Sequence, residues 1–261
     1  MLKQRVLSAF LLLPLPILAL YFGPPWFELI CAVALTAMGW EWEKLVLKRF
    51  SVLGMLIAVT GICGIFLLDI SPVVAWILPA VMTIALYVIV KKQGLEHQKL
   101  FAFGVIYSAY PMISLTFMLQ NYGFISTIWL IGSVWAMDTG AYAFGKTIGG
   151  PKMCPKISPK KTWAGLFGGM LTAALWGALC AKFGEASEYG LVMIVSAVLG
   201  AVSQGGDLFE SWIKRYLNVK DSSNLIPGHG GIFDRMDALL AVAPIVVLIF
   251  VFVCPGLDLW G

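Results

Sequence analysis

The stretch Val52–Phe66, "VLGMLIAVTGICGIF", contains no charged side chain. With its neighbours it forms an apolar run from 51 to 68, and roughly 20 such residues in a helix cross the hydrocarbon core of a bilayer. Small residues recur in it at helical spacing, at Gly54, Ala58, Gly61 and Gly64. They predict close packing against another helix, either in the same chain or in a second copy.

Similar apolar runs occur throughout the chain, which has 261 residues, 60% of them hydrophobic. This is more apolar side chain than a soluble core of that size holds, so the lipid bilayer is the expected solvent. We predict an all-α, polytopic membrane helix bundle with about nine transmembrane helices, at 6–23, 26–43, 51–68, 72–90, 101–120, 123–145, 164–183, 189–205 and 236–254.

No internal repeat divides the chain, so residues 1–261 are predicted to form a single integral membrane domain. Within it, we expect N-terminal helices over 1–122 and a catalytic half over 123–261, with two large loops at 146–163 and 206–235.

The basic residues predict the orientation of these helices. With the N-terminus inside, all but Lys182 of the 18 lysines and arginines fall on the inner side. Cytoplasmic loops are enriched in Lys and Arg, so the pattern indicates an N-in, C-out protein of the inner cell membrane. Both large loops then face the cytoplasm. The net charge of +4 is explained by membrane orientation, and no nucleic-acid partner is expected.

The stretch Gly140–Thr147, "GAYAFGKT", matches the phosphate-binding P-loop pattern letter for letter. That motif requires a loop between a strand and a helix, whereas here apolar residues at the end of a predicted helix fill the variable positions. We interpret the match as accidental.

The first loop is basic and precedes a helix predicted to begin near Trp163. Cations and hydroxyls at a helix N-terminus suit a phosphate, which also meets free amides and the positive end of the helix dipole there. The alternative is an ordinary positively charged cytoplasmic loop. The residues concerned are Ser158, Lys160, Lys161 and Thr162. Asp138, inside the preceding span, is costly in lipid and is expected to face protein, water or a cation.

The second loop contains acids that alternate with bases. The acids are Asp207, Glu210, Asp221, Asp234 and Asp237, and the bases are Lys214, Arg215, Lys220 and Arg235. On a helix, Asp207, Ser211 and Lys214 share one face, as do Asp234 and Asp237 on the next helix. Mg²⁺ bound to a polyphosphate requires carboxylate oxygens and cations of this kind. The alternative is a solvated loop whose ion pairs cap two helices.

Between these helices, the turn "PGHGG" at 227–231 contains glycines that allow a ligand to approach the backbone. His229 in this turn is by itself a weak indication of function.

The segment Ser211–Asp237 resembles the signature of the phosphatidate cytidylyltransferases. The matching blocks are Ser211-x-Ile213-Lys214-Arg215, Lys220-Asp221-x-Ser223 and Ile226-Pro227-x-His229-Gly230-Gly231-Ile232-x-Asp234-Arg235-Met236-Asp237. The stretches "MDTGAYAFGK" and "KISPKKTWAG" are similar to two further blocks of that family, so the resemblance covers about 132–240. Ala164 departs from it, since many relatives have an acidic or polar residue there.

The resemblance implies that CTP and phosphatidate react at the cytoplasmic boundary to form CDP-diacylglycerol and pyrophosphate. It implies Mg²⁺, with room for a second cation, and a homodimer. The metal ligands would be Asp221 and Asp234, with Asp207 and Asp237 as further ligands or acceptors. The other catalytic residues would be Lys220, Arg235 and His229. Substrate would be bound by Ser158, Lys160, Lys161, Thr162, Ser211, Lys214, Arg215, Gly230 and Gly231.

Two other functions fit parts of the same pattern. A cation-coupled transporter would use Asp138 as its coupling acid, although transporters tend to have two related halves and this chain does not. A CTP-dependent lipid kinase would share the membrane geometry.

Overall fold

The computed structural model describes residues 14–226 and 230–253, and these are almost entirely helical. The helices are α1 (Pro14–Phe22), α2 (Trp26–Leu47), α3 (Val52–Leu67), α4 (Pro72–Lys92), α5 (Gln98–Thr147), α6 (Trp163–Phe183), α7 (Tyr189–Tyr216) and α8 (Phe233–Leu248), which a short π-helix (Ile249–Val253) follows. Two short strands, β1 (Lys152–Cys154) and β2 (Ser158–Thr162), precede α6. The predicted all-α class is confirmed.

Five described helices are long and apolar enough to cross a membrane. They are Pro72–Lys92, Gln98–Thr147, Trp163–Phe183, Tyr189–Tyr216 and Phe233–Phe252, and the apolar Val52–Leu67 is shorter. Helix α5 is interrupted by non-helical backbone at Gly123, the boundary between two predicted spans. The chain is therefore a multi-pass membrane protein. Part of the first predicted span, 6–13, lies outside the described residues.

The chain divides into two compact units. The first comprises the described residues of Met1–Asn121 and Leu217–Met236, and the second those of Tyr122–Tyr216 and Asp237–Gly261.

In the first unit, the small residues of α3 allow its backbone to approach α2. A Cβ atom on Gly54 would collide with the carbonyl oxygen of Gly39, and one on Gly61 would collide with Leu35. At the far end of the helix, Gly64 packs against Ile113. The small-residue stripe predicted from the sequence thus packs against helices of the same chain, where close approach increases dispersion contacts.

In the second unit, α6 packs on α7 and on the second half of α5. Gly177 lies against Ser196, whose hydroxyl accepts a hydrogen bond from Trp129 Nε1 at 2.8 Å. Gly168 lies against Phe144, so that no side chain fits between α6 and α5 there. The buried indole and hydroxyl groups satisfy each other, which removes the cost of placing them in an apolar interior.

Both predicted loops contain regular structure. The prediction of a loop over 206–235 is wrong for residues 206–216, because α7 continues to Tyr216. Its charged residues form helical contacts, including an ion pair between Glu210 and Lys214. In the loop predicted at 146–163, α5 continues to Thr147 and the antiparallel strands pair Lys152 with Thr162. The stretch Gly140–Thr147 is helical, which confirms that it is not a P-loop.

Candidate active site

The signature segment, which we define as residues 217–236, joins α7 to α8 and lies in the first unit. Outside α8 its described residues form turns, closed by a bridge in which Ile226 N–H donates to the Gly230 carbonyl oxygen at 2.8 Å. Gly230 has a φ of +84°, a conformation that favours glycine. His229 lies outside the described residues.

Asp234, a predicted metal ligand in the first turn of α8, organises this segment. Its Oδ2 atom accepts hydrogen bonds from Ser222 N–H at 2.9 Å, Ser222 Oγ at 2.9 Å and Gly231 N–H at 2.8 Å. An acidic side chain near a helix N-terminus also interacts favourably with the helix dipole. One carboxylate oxygen of Asp234 is therefore engaged in holding the turn.

Glu41 of α2 is a second organising acid, and sequence analysis missed it. Its side chain is fully buried, at 0% exposure. Oε1 accepts from Ser223 Oγ at 2.5 Å and Ile232 N–H at 2.8 Å. Oε2 accepts from Phe233 N–H at 3.0 Å, with Ser222 Oγ at 3.3 Å. Glu41 thus satisfies N–H groups at the start of α8 that have no partner within the helix.

A signal for Glu41 was present in the sequence. The stretch Trp40–Lys44, "WEWEK", places two acids at the end of the predicted span 26–43, and acids within membrane helices are rare because a charge there is costly. The same reasoning that singled out Asp138 applies to Glu41.

Aromatic rings hold the start of α8 in place beside these hydrogen bonds. The ring centroid of Phe233 lies 5.3 Å from Trp42 and 5.7 Å from Tyr107. The Trp42 indole N–H donates to the carbonyl oxygen of Phe101 at 3.0 Å, which fixes the orientation of the ring. Packed aromatic pairs stabilise by about 0.5 to 1.5 kcal/mol beyond the area they bury.

Three of the predicted catalytic side chains of the signature segment lie at its surface. Lys220, Asp221 and Arg235 are exposed, whereas Gly231 is buried against Ser222 Oγ and the Glu41 carboxylate. The segment therefore combines a rigid buried side with an exposed, charged side.

The second unit contains a separate polar cluster, centred on Asp207 of α7. Lys161 Nζ lies 2.6 Å from Asp207 Oδ2, and Ser211 Oγ donates to Asp207 Oδ1 at 3.3 Å. Lys161 also donates to the Gln204 carbonyl oxygen at 3.4 Å, and the Gln204 side chain donates to Asp138 Oδ1 at 3.4 Å. Lys161 thereby joins the strand before α6 to α7.

Further acids lie around this cluster. Asp237 of α8 lies within electrostatic range of Asp207, Glu210 and Asp138. Glu210 forms an ion pair with Lys214, and Asp237 Oδ1 accepts from Ala238 N–H at 2.8 Å. The carboxylates repel one another, so a cation among them would lower the electrostatic energy. Two pairs of predicted residues, Asp207 with Asp237 and Asp207 with Lys161, are therefore neighbours.

The strand before α6 has a partly structural role. Thr162 is buried and caps α6, because its Oγ1 accepts from Gly165 N–H at 3.1 Å. Arg215 Nε donates to the Ile157 carbonyl oxygen at 3.5 Å, which links the end of α7 to the β-hairpin. Lys160 is exposed, and Ser158 is half-buried.

The second unit also has an apolar groove of about 430 Å³ between α5 and α6, lined by Trp135, Phe144 and Trp176 among others. It has no charged side chain in its lining, so it suits an apolar chain and is unsuited to a polyphosphate.

The acidic residues offer carboxylate oxygens, which are the ligand atoms that Mg²⁺ prefers. Over 14–226 and 230–253, no three His, Cys, Asp or Glu side chains form a ready-made metal site. Mg²⁺ usually takes one or two carboxylates and completes its octahedron with water and substrate phosphates. A pair of carboxylates such as Asp207 and Asp237 is therefore sufficient.

Comparison with known proteins agrees with this chemistry. The model of the cytidylyltransferase family matches residues 3–253. A phosphatidate cytidylyltransferase of Brucella suis biovar 1 is 33% identical over 259 residues, covering 95% of this chain and 92% of that protein. One from Haemophilus influenzae is 32% identical over 293 residues, covering 97% of this chain and 100% of that protein. The chain therefore belongs to the cytidylyltransferase family.

Proposed function

We propose that this chain transfers the cytidylyl group of CTP to phosphatidate, forming CDP-diacylglycerol and pyrophosphate. The observation that carries the proposal is the similarity over nearly the whole chain to proteins named phosphatidate cytidylyltransferase. The neighbouring acids and bases of the second unit support it, because a reaction between two phosphate compounds requires both kinds of group.

The reaction requires little covalent participation by the protein. A phosphatidate oxygen attacks the α-phosphorus of CTP, the new P–O bond forms, and the bond to the β-phosphate oxygen breaks as pyrophosphate leaves. Phosphatidate is already ionised at neutral pH, so no general base is needed. Catalysis then depends on positioning and on neutralising charge.

The proposed metal ligands are chosen from the acids of the signature and of α7. Mg²⁺ neutralises phosphate charge and withdraws electrons from phosphorus when it is bound. We rank Asp207 and Asp237 first, because both lie among the acids of the second unit, where a cation reduces their mutual repulsion; beside Asp207, Mg²⁺ would take the place of Lys161. Asp221 is exposed, and Asp234 already accepts three hydrogen bonds at Oδ2, so both rank second. A second cation is part of the proposal.

The proposed phosphate ligands are exposed or half-buried bases and hydroxyls. Lys160 and Ser158 precede the N-terminus of α6, where the helix dipole favours an anion. In the signature segment, Lys220 and Arg235 are exposed. Lys161, Lys214 and Thr162 have partners within the protein, and we propose that these three residues orient neighbouring groups.

The proposed membrane arrangement has nine spans, an N-in, C-out topology in the inner membrane, and a homodimer. Helix α7 has 28 residues, which at about 1.5 Å per residue make about 42 Å, longer than the hydrocarbon core of about 30 Å. Its charged end, with Lys214 and Arg215, therefore suits the cytoplasmic boundary. Phosphatidate keeps its acyl chains in the bilayer there, and CTP arrives from water.

The direct test uses CTP labelled with ³²P at either the α- or the γ-phosphate, incubated with the purified protein and phosphatidate. We expect α-label in the lipid extract and γ-label in pyrophosphate, because the α-phosphorus is transferred. A lipid kinase would place the γ-label in lipid. If both labels remain in the aqueous phase, no group is transferred to lipid and the proposal is contradicted. A transporter would then be the better explanation.

The metal assignment predicts the effect of Asp237→Asn, which keeps the size of the side chain and removes its charge. Loss of this carboxylate weakens the binding of Mg²⁺, whose charge stabilises the transition state, so turnover should fall by about 10²-fold or more. The measurement is cytidylyl transfer across a range of Mg²⁺ concentrations. Asp69→Asn makes the same chemical change at an exposed acid that accepts from Gln120 and should leave turnover unchanged. Turnover of the Asp237 variant equal to that of the control would remove Asp237 from the site.

The proposed topology predicts the labelling of single cysteines by a membrane-impermeant thiol reagent, in a chain whose native cysteines are replaced. Positions 156 and 224 should react only from the cytoplasmic side, and position 187 only from outside. Lys156, Asn224 and Ser187 are all exposed, so access depends on the side of the membrane. Reaction of all three from the same side would refute the nine-span arrangement.

A further inference from the structure

The Glu41 carboxylate contacts the signature segment through both of its oxygens. Each oxygen lies within hydrogen-bond distance of one backbone N–H and one serine hydroxyl: Ile232 and Ser223 at Oε1, Phe233 and Ser222 at Oε2. The four donors all belong to the signature segment, whereas Glu41 belongs to α2. We propose that Glu41 is a positioning residue for cytidylyl transfer, which fixes the conformation of the signature segment. This inference rests on the proposed function.

The negative charge of Glu41 is stabilised by neutral hydrogen-bond donors and by the N-terminus of α8. The Ile232 and Phe233 N–H groups lie at the start of α8, where the helix dipole is positive. Among the described residues, the ion pairs that involve buried or half-buried acids include those of Glu43 with Arg49, Asp207 with Lys161 and Glu210 with Lys214, whereas the contacts of Glu41 are with neutral donors. A buried carboxylate needs every one of these hydrogen bonds, so the segment is constrained to the conformation that provides them.

Ser222 couples Glu41 to Asp234. Its Oγ lies 3.3 Å from Glu41 Oε2 and 2.9 Å from Asp234 Oδ2, and a hydroxyl has a single proton to donate. The Ser222 N–H also donates to Asp234. A change at Glu41 therefore alters the hydrogen bonding of Asp234, a residue of the proposed metal site.

Position 231 requires glycine because the backbone of the segment lies directly against the Glu41 carboxylate. A Cβ atom there would collide with Ser222 Oγ and with both Glu41 carboxylate oxygens. The backbone of the segment thus passes directly against the carboxylate. Because the exposed Lys220, Asp221 and Arg235 extend from this backbone, their positions depend on how tightly Glu41 holds it.

The decisive variant is Glu41→Gln, which keeps the shape of the side chain. An amide has only one acceptor oxygen, so its NH₂ group must face the N–H of either Ile232 or Phe233, donor against donor. Glu43→Gln is the matched control, because Glu43 lies on the same helix, is also at 0% exposure, and accepts from Gly54 N–H at 3.0 Å and from Ser51 Oγ. Its contacts lie at the start of α3.

We expect Glu41→Gln to raise the KM for CTP and the half-saturating Mg²⁺ concentration by about tenfold, since misplacement of binding groups is costly. Glu43→Gln should keep both wild-type values, even if its thermal stability falls. A milder variant, Ser223→Ala, removes one hydroxyl donor and should raise the same two values by a smaller factor. Wild-type values in Glu41→Gln at equal folded fraction would overturn the proposal. If that variant does not fold, wild-type values in Ser223→Ala would overturn it.

A second measurement does not depend on activity. Limited trypsin digestion should cleave after the exposed Lys220 faster in Glu41→Gln than in Glu43→Gln, because the segment is less restrained. Ser223→Ala serves in the same comparison if Glu41→Gln does not fold. Equal cleavage rates would contradict the positioning role. An inactive wild-type protein would refute the proposed function alone, and the cleavage comparison would still decide the role of Glu41.

Discussion

The hydrogen bonds of the buried Glu41 carboxylate are the interaction on which the organisation of the signature segment depends. They connect α2 to residues 222–233, which are about 190 positions later in the chain. An unpaired charge in that position would cost several kcal/mol, so the pairing requires the segment to adopt a single conformation. The aromatic contacts of Trp42 and Tyr107 with Phe233 reinforce this arrangement.

The polar residues predicted for the site divide into two groups that differ in their surroundings. Asp234, Thr162 and Lys161 have partners inside the protein and hold turns, helix ends and strands in place. Lys160 and Lys220 are exposed and suit contact with phosphates. In the proposed site, the exposed residues bind phosphate and the partnered residues hold them in position, and both kinds are needed for a fixed geometry.

The sequence predicted the all-α class and the apolar character of the long helices, because burial in a bilayer imposes a minimum length and composition on each of them. It also predicted close packing by the glycines of α3. It failed at the end of α7, because hydropathy falls where charged residues begin although the helix continues through Glu210 and Lys214. The Glu41 contacts were not predictable, since hydrogen bonds between residues so far apart in sequence leave no local pattern. Only the cost of an acid in an apolar run marks Glu41.

Hydrogen–deuterium exchange in the wild-type protein measures directly whether the buried carboxylates restrain the signature segment. We expect slow exchange at the amides of Ser222, Gly231, Ile232 and Phe233, which donate to Glu41 or Asp234 although they precede or begin α8. The amides of Lys220 and Asp221 in the same segment should exchange much faster. Equally fast exchange at all six positions would show that the buried carboxylates do not restrain the signature segment.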